Sequence, residues 1–264
     1  MKSKNYSVHI AVASALFVLG NAVILTPTLN ITNLFLIPLL LLFALAVSYF
    51  LKNRNGVIVL GVALYGAWTT IFDYINFLKD EQMPSANKIL LLSVLLGVVA
   101  IFVFAPKSAI YKYSLLVFVV VVAIMLLCFV SGIGNFDYKI AAENFFDFSF
   151  SVKTLLRFFV PVIVLPLAYQ DKTKYKNPMF LGTMTGVGLL TVASIQAFLT
   201  IGNDTSVTFP YLSAVNVISV GSIFTRLNGF VWFLFFATSL VKIVICVKVI
   251  LDFKITNIYK QKVP

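Results

Sequence analysis

Asp73, Arg157, Lys242 and Lys248 stand inside or beside long apolar runs, where a charge is costly unless something compensates it. An intramembrane lysine is therefore read first as a functional group. Lys242 falls within the apolar helix that follows Arg226, and backbone carbonyls or a hydrated cavity would have to compensate it. Two readings fit: a fixed cation that serves binding or coupling, or a side chain that snorkels to an interface. Asp73 and Arg157, each in the outer half of its run, are candidates for a buried pair that favours both charged forms. Lys242 is deeper, beyond the expected reach of Asp73. Lys248 is close enough to a helix end to snorkel and takes no functional role.

A second kind of signal is interruption. The first apolar run reads L-G-N-A-V-I-L-T-P from Leu19 to Pro27, with the poor helix formers Gly20 and Asn21 near its middle. Unwinding at Gly20, Asn21 and Ala22 would free N–H and C=O groups for the carboxylate and amine of a small substrate. Close packing of small residues against another helix explains the same letters. In the sixth run Pro161 and Pro166 each remove a backbone donor and free a carbonyl one turn earlier. That is either a simple kink or a second broken helix, in which Val160 and Pro161 would face the first break. Two interrupted spans, five apart, match the inverted-repeat logic of secondary transporters.

The elements that must position these groups follow from composition. Hydrophobic residues make up 61% of the 264 residues, charged ones 11%, and mean hydropathy is +1.02. A soluble domain carries about 45–50% apolar and about 25% charged residues. The chain is therefore expected to be an all-α polytopic membrane protein, a single integral domain over 1–264 with about eight transmembrane helices. Spans are expected near 8–27, 33–51, 57–78, 88–105, 113–131, 152–169, 178–201 and 228–251. The serine-containing segment 207–225, with Pro210 and Asn216, is expected to lie in the outer interface or to re-enter from outside.

Lys2, Lys4, Lys52, Arg54, Lys107, Lys112, Lys172, Lys174, Lys176, Lys254, Lys260 and Lys262 then share one side. Most acidic residues share the other, so both termini are expected in the cytoplasm. This asymmetry accounts for the net charge of +11 without nucleic acid, because the basic residues are dispersed among apolar runs. Cys128 and Cys246 both fall in apolar runs, which argues against a disulfide framework or a metal site. No catalytic triad, His/Cys cluster or Gly-rich phosphate loop presents itself, so no catalytic residue, metal or cofactor is expected. The first run continues to Leu25, longer than a signal-peptide core, and is expected to be retained.

Leu19–Pro27, the run from Pro210 through Arg226 and Leu227 to Lys242, and P-L-A-Y at 166–169 before a basic loop together resemble one family. It is the B subunit of bacterial spore germinant receptors, the GerAB-like spore permeases of the amino acid–polyamine–organocation superfamily. Ala22 stands where a second glycine is common. The resemblance implies a LeuT-like inverted-repeat transporter fold, here shortened, since the family usually has ten spans and this chain ends soon after its eighth. The sixth span also lacks the Glu often found there. The implied function is a membrane subunit of a nutrient germinant receptor that senses an amino acid or similar small molecule. Its ligand would bind around Gly20, Asn21, Ala22, Val160 and Pro161, with Asp73, Arg157, Arg226 and Lys242 as intramembrane charges. Implied partners are A-type and C-type receptor subunits and membrane lipid, in the spore inner membrane or cell membrane. An amino acid permease coupled to protons or another cation is the alternative, as is a degenerate non-transporting paralogue.

Overall fold

The computed structural model describes residues 2–20, 22, 38–47, 56–81, 83–139, 160–168, 176–202, 209–217 and 228–261. Their helices are α1 (Lys2–Leu19), α2 (Pro38–Val47), α3 (Gly56–Glu81), α4 (Lys88–Phe104) and α5 (Lys107–Gly132). A 3-10 turn at Val160–Val164 leads into α6 (Leu165–Ala168), and α7 (Lys176–Ile201), α8 (Pro210–Val217) and α9 (Asn228–Gln261) follow. No strand occurs among the described residues. The segments Lys112–Asn135, Asn177–Ile201 and Gly229–Asp252 are long and apolar enough to cross a membrane. The chain is thus a helical, membrane-embedded protein. Helix α3, 26 residues long, carries Thr69, Thr70, Asp73 and Asn76 among its apolar residues.

Helix α9 is the central element. In its apolar segment 72% of the residues are buried inside the protein, against 33% for Lys112–Asn135. It packs against α1, α3, α4, α5, α6 and α8, so most of the core touches it. Its 34 residues run well past the end of the expected eighth span.

Helices α1 and α7 pack with almost no side chain between them. A Cβ added at Gly182 would collide with the Ala11 backbone, and one at Gly186 would sit 2.7 Å from the Ala15 carbonyl oxygen. Glycines one turn apart thus receive alanines one turn apart. In lipid, where helices gain little from hydrophobic burial against each other, this close approach is what dispersion can reward.

The turns obey local chemistry. Asn87 caps α4, its Oδ1 accepting from the Ile89 N–H at 2.9 Å. At the α4–α5 joint Pro106 is fixed in an extended conformation and has no N–H to continue a helix. The Ala105 carbonyl just before it accepts from Lys248 Nζ at 3.0 Å. Lys248 is thus anchored on a helix end, a more specific placement than snorkelling. Beyond α5, the Asp137 N–H donates to the Leu199 carbonyl at 2.8 Å and ties that end to α7. Buried hydroxyls of Thr70, Ser114, Thr183 and Ser194 return to the carbonyl four residues earlier, which satisfies them where water is excluded.

Two expected spans take a different form, and the segment expected to lie in the interface or re-enter is partly described. The first was expected as one run over 8–27, but α1 stops at Leu19, because Gly20 turns the chain at φ +24°. In the sixth, residues 160–164 coil as a 3-10 turn around Pro161, and 152–159 lie outside the described residues. Within 207–225, residues 210–217 form a short helix with Pro210, Tyr211, Leu212, Ala214 and Val215 buried. At about 1.5 Å per residue such a helix is far too short to cross a bilayer.

The α1–α7 contact yields a direct test. Gly182→Ala forces the backbones apart and should cost about 1–3 kcal/mol, as overpacking does. Gly97→Ala, whose added Cβ meets nothing within 4 Å, should be neutral or slightly stabilising. Thermal unfolding of both variants in detergent checks the difference.

Candidate functional site: a buried lysine at a helix break

Lys242 is 1% exposed and ranks among the largest fully buried side chains of the protein. Within the apolar segment Gly229–Asp252 it lies about 15 Å from the nearer end, at about 1.5 Å per residue. The side chain is buried rather than extended along the outer surface of the helix toward an interface. Its stem instead lies on Gly20, where an added Cβ would meet Lys242 Cδ at 2.5 Å and the Phe17 carbonyl oxygen at 3.1 Å. The ammonium sits 5.7 Å from the centroid of the Phe17 ring, within cation–π range.

Each part of this contact depends on the end of α1. The Gly20 N–H still donates to Leu16 and the Ala22 N–H to Leu19, so the last turn tightens and closes. The positive φ at Gly20 is disfavoured for other residues, and the missing side chain makes room for the lysine stem. The carbonyl end of a helix carries partial negative charge, which favours a cation beside it. Thr238, one turn before Lys242, donates its hydroxyl to the Gly20 carbonyl at 3.0 Å. The same hydroxyl also lies 2.9 Å from the Leu234 carbonyl of its own helix.

The second interruption meets the same stretch of α9. An added Cβ at Gly66 of α3 would lie 3.0 Å from Pro161 Cβ and 3.3 Å from Cys246 Sγ. Thr238, Lys242 and Cys246 recur every four residues and so share one face of α9. Gly20 reaches this face at Thr238 and Lys242, and Pro161 approaches it beside Cys246 through Gly66. Pro161 is buried and Val160 partly so. Ala22, 1% exposed, follows just after the break.

Aromatic rings close the other end of the site. Phe77 packs edge-on against Phe209 at 5.1 Å, Trp232 at 5.6 Å and Phe235 at 4.8 Å, and Tyr74 lies 5.6 Å from Phe235. Phe77 level with Phe235, and Gly66 with Cys246, fix α3 and α9 as antiparallel. Asp73, 4% exposed, then falls at about the level of Thr238, one turn along from Lys242. It is nearer in depth than the sequence spacing suggested. Both buried charges are partnered. Asn21, Arg157 and Arg226 lie outside the described residues, and with them the expected Asp73–Arg157 pair.

A polar cluster escaped the sequence reading. Gln196 of α7, fully buried, donates its amide to the Cys128 carbonyl of α5 at 2.9 Å. The buried Tyr211 hydroxyl of α8 lies beside the Cys128 thiol without reaching hydrogen-bond geometry. Gln196 Oε1 likewise has no hydrogen-bond partner among the described residues. The available signal was a glutamine inside an apolar run, as informative as a charge in that setting. Among the described residues no group of three or more His, Cys, Asp or Glu side chains is placed to hold a metal.

The arrangement defines a helical membrane protein with a first helix that ends at Gly20, a 3-10 turn at Pro161, and a buried cation beside that helix end. A buried ammonium there can pair with a carboxylate or replace a bound cation. No protein-family model, no curated protein and no solved structure matches the chain.

Asp73 and Lys242, one turn apart in depth, are predicted to be energetically coupled. Asp73→Asn or Lys242→Met alone strands a buried charge and should lower the yield of folded protein. The double variant should recover about 1–3 kcal/mol relative to the sum of the singles. A double-mutant cycle on thermal stability in detergent measures this, and simple additivity would separate the two charges.

Proposed function

We propose that this chain is the B-type membrane subunit of a nutrient germinant receptor, sensing an amino acid or similar small molecule to trigger spore germination. Its fold is read as a shortened, LeuT-like inverted-repeat transporter with about eight spans and both termini cytoplasmic. The supporting observation is convergence. The break after Leu19 and the 3-10 turn at Pro161 approach one face of α9, over about two turns, and that face holds a buried lysine. Interrupted helices meeting at bilayer depth are how secondary transporters expose backbone groups to a substrate.

In this reading the ligand sits between Gly20–Ala22 and Val160–Pro161, and its carboxylate draws on the Lys242 ammonium. Sensing requires only that the ligand bind one conformation better than another. Thr238 offers a low-cost way to move, because its single hydroxyl proton has one acceptor on α1 and another on its own helix. The α1 end can therefore shift without stranding that hydroxyl. The change would pass to A-type and C-type subunits in the spore inner membrane or cell membrane.

Lys242→Met separates function from folding when ligand responses are compared at matched protein levels. Lysine at the centre of a membrane helix costs about 2.5–3.5 kcal/mol on insertion scales, so the variant should enter the membrane at least as well, and comparison at matched levels offsets its lower folded yield. It should nevertheless lose the thermal shift that a panel of amino acids gives the parent protein, and nutrient-triggered germination with it. Unchanged shifts and germination in Lys242→Met would remove the lysine from the site. Uptake of the same labelled amino acids into proteoliposomes, driven by an ion gradient, would instead favour a permease.

A further inference from the structure

On the lipid-facing side, α3 and α4 leave a groove of about 170 Å³ between them. Trp68 and Phe72 of α3 and Ile89 and Leu92 of α4 line it, and Trp68 and Ile89 are 66% and 71% exposed. The groove wall is almost wholly apolar, and Lys88 and Asn76 border one end of it. There Lys88 Nζ donates to Asn76 Oδ1 at 3.2 Å. Among the described residues no carboxylate pairs with Lys88, and Asp80, one turn beyond Asn76, is no exception. An ammonium has three donors, and the neutral amide takes one of them. Among the described residues its charge is not neutralised, and two donors remain for an incoming anion.

The groove therefore has the polarity of a single phospholipid. Its charged end is the first residue of α4, immediately after the connecting turn. Its apolar wall runs from Asn76 back to Trp68, about 12 Å along α3 at 1.5 Å per residue. We propose that this groove is a selective site for an anionic phospholipid. The phosphate is held by Lys88, beside Asn76, and an acyl chain lies along Trp68, Phe72 and Leu92. The site is separate from the buried Lys242 face, since Trp68, Phe72, Lys88 and Ile89 are exposed on the outside of the bundle.

Trp68 reports directly on the occupant. The chain has two tryptophans, so Trp232→Phe leaves Trp68 as the sole indole and keeps a ring in the aromatic cluster. The full-length single-tryptophan protein is reconstituted in phosphatidylcholine vesicles. Acyl-brominated phosphatidylglycerol or acyl-brominated phosphatidylcholine is then added at equal mole fraction. Brominated phosphatidylglycerol should quench Trp68 with an apparent affinity about five-fold higher, the discrimination expected of one lysine facing an anionic lipid. Lys88→Gln should bring that ratio to about one, while Lys79→Gln, at the end of α3, should leave it intact. Equal quenching by the two lipids in the parent overturns the proposal, as does a preference that survives Lys88→Gln. Loss of the preference in both lysine variants also overturns it, because general surface charge would then be the cause.

Discussion

Burial of the Lys242 ammonium is the constraint around which the rest of this bundle is arranged. A lysine at mid-helix, 1% exposed, is shut off from its surroundings and must be compensated locally. The compensation visible in the structure comes from the end of α1. Its carbonyl terminus, the Phe17 ring and the bare Gly20 backbone together receive the side chain. Continuing α1 through Gly20 would remove the free helix end and would fill the space that the lysine stem occupies. The broken helix and the buried charge are two halves of one solution.

That solution needs α1 to be held firmly, and α7 holds it. Gly182 and Gly186 let the two backbones approach until Ala11 and Ala15 are in contact, leaving little freedom to slide. On the other side, the rings of Tyr74, Phe77, Phe209 and Phe235 lock α3 and the start of α8 to α9. Rigid packing on both flanks leaves the turn at Gly20 as the adaptable part.

Much of this was legible in the sequence, for identifiable reasons. Long apolar runs bounded by charge gave α3, α4, α5, α7 and α9, because hydrocarbon demands unbroken helix whatever the tertiary context. Gly20 and Pro161 were readable as interruptions because one removes the side chain and the other a donor. The meeting of Gly20 with Lys242 was not readable. It joins residues 222 positions apart, and no local pattern encodes which face of α9 meets α1. Snorkelling remained open for the same reason, since depth alone does not say whether a helix break waits beside the charge. The glycine pair in α7 and the Gln196–Cys128 bond depend likewise on pairings that composition cannot assign.

Thr238 shows how such a site can be both stable and movable. In a medium without water, breaking a hydrogen bond between helices strands a donor and an acceptor, and each costs free energy. Thr238 halves that cost, because the Leu234 carbonyl on its own helix can take the proton that Gly20 gives up. The Gly20 carbonyl is then the only group needing a new partner, and the lysine packed against the same glycine has an ammonium with three donors. The residues that bury the charge therefore also lower the barrier to rearranging around it. A bundle held by apolar packing alone would keep its shape equally well, but it would offer an incoming carboxylate nothing to displace.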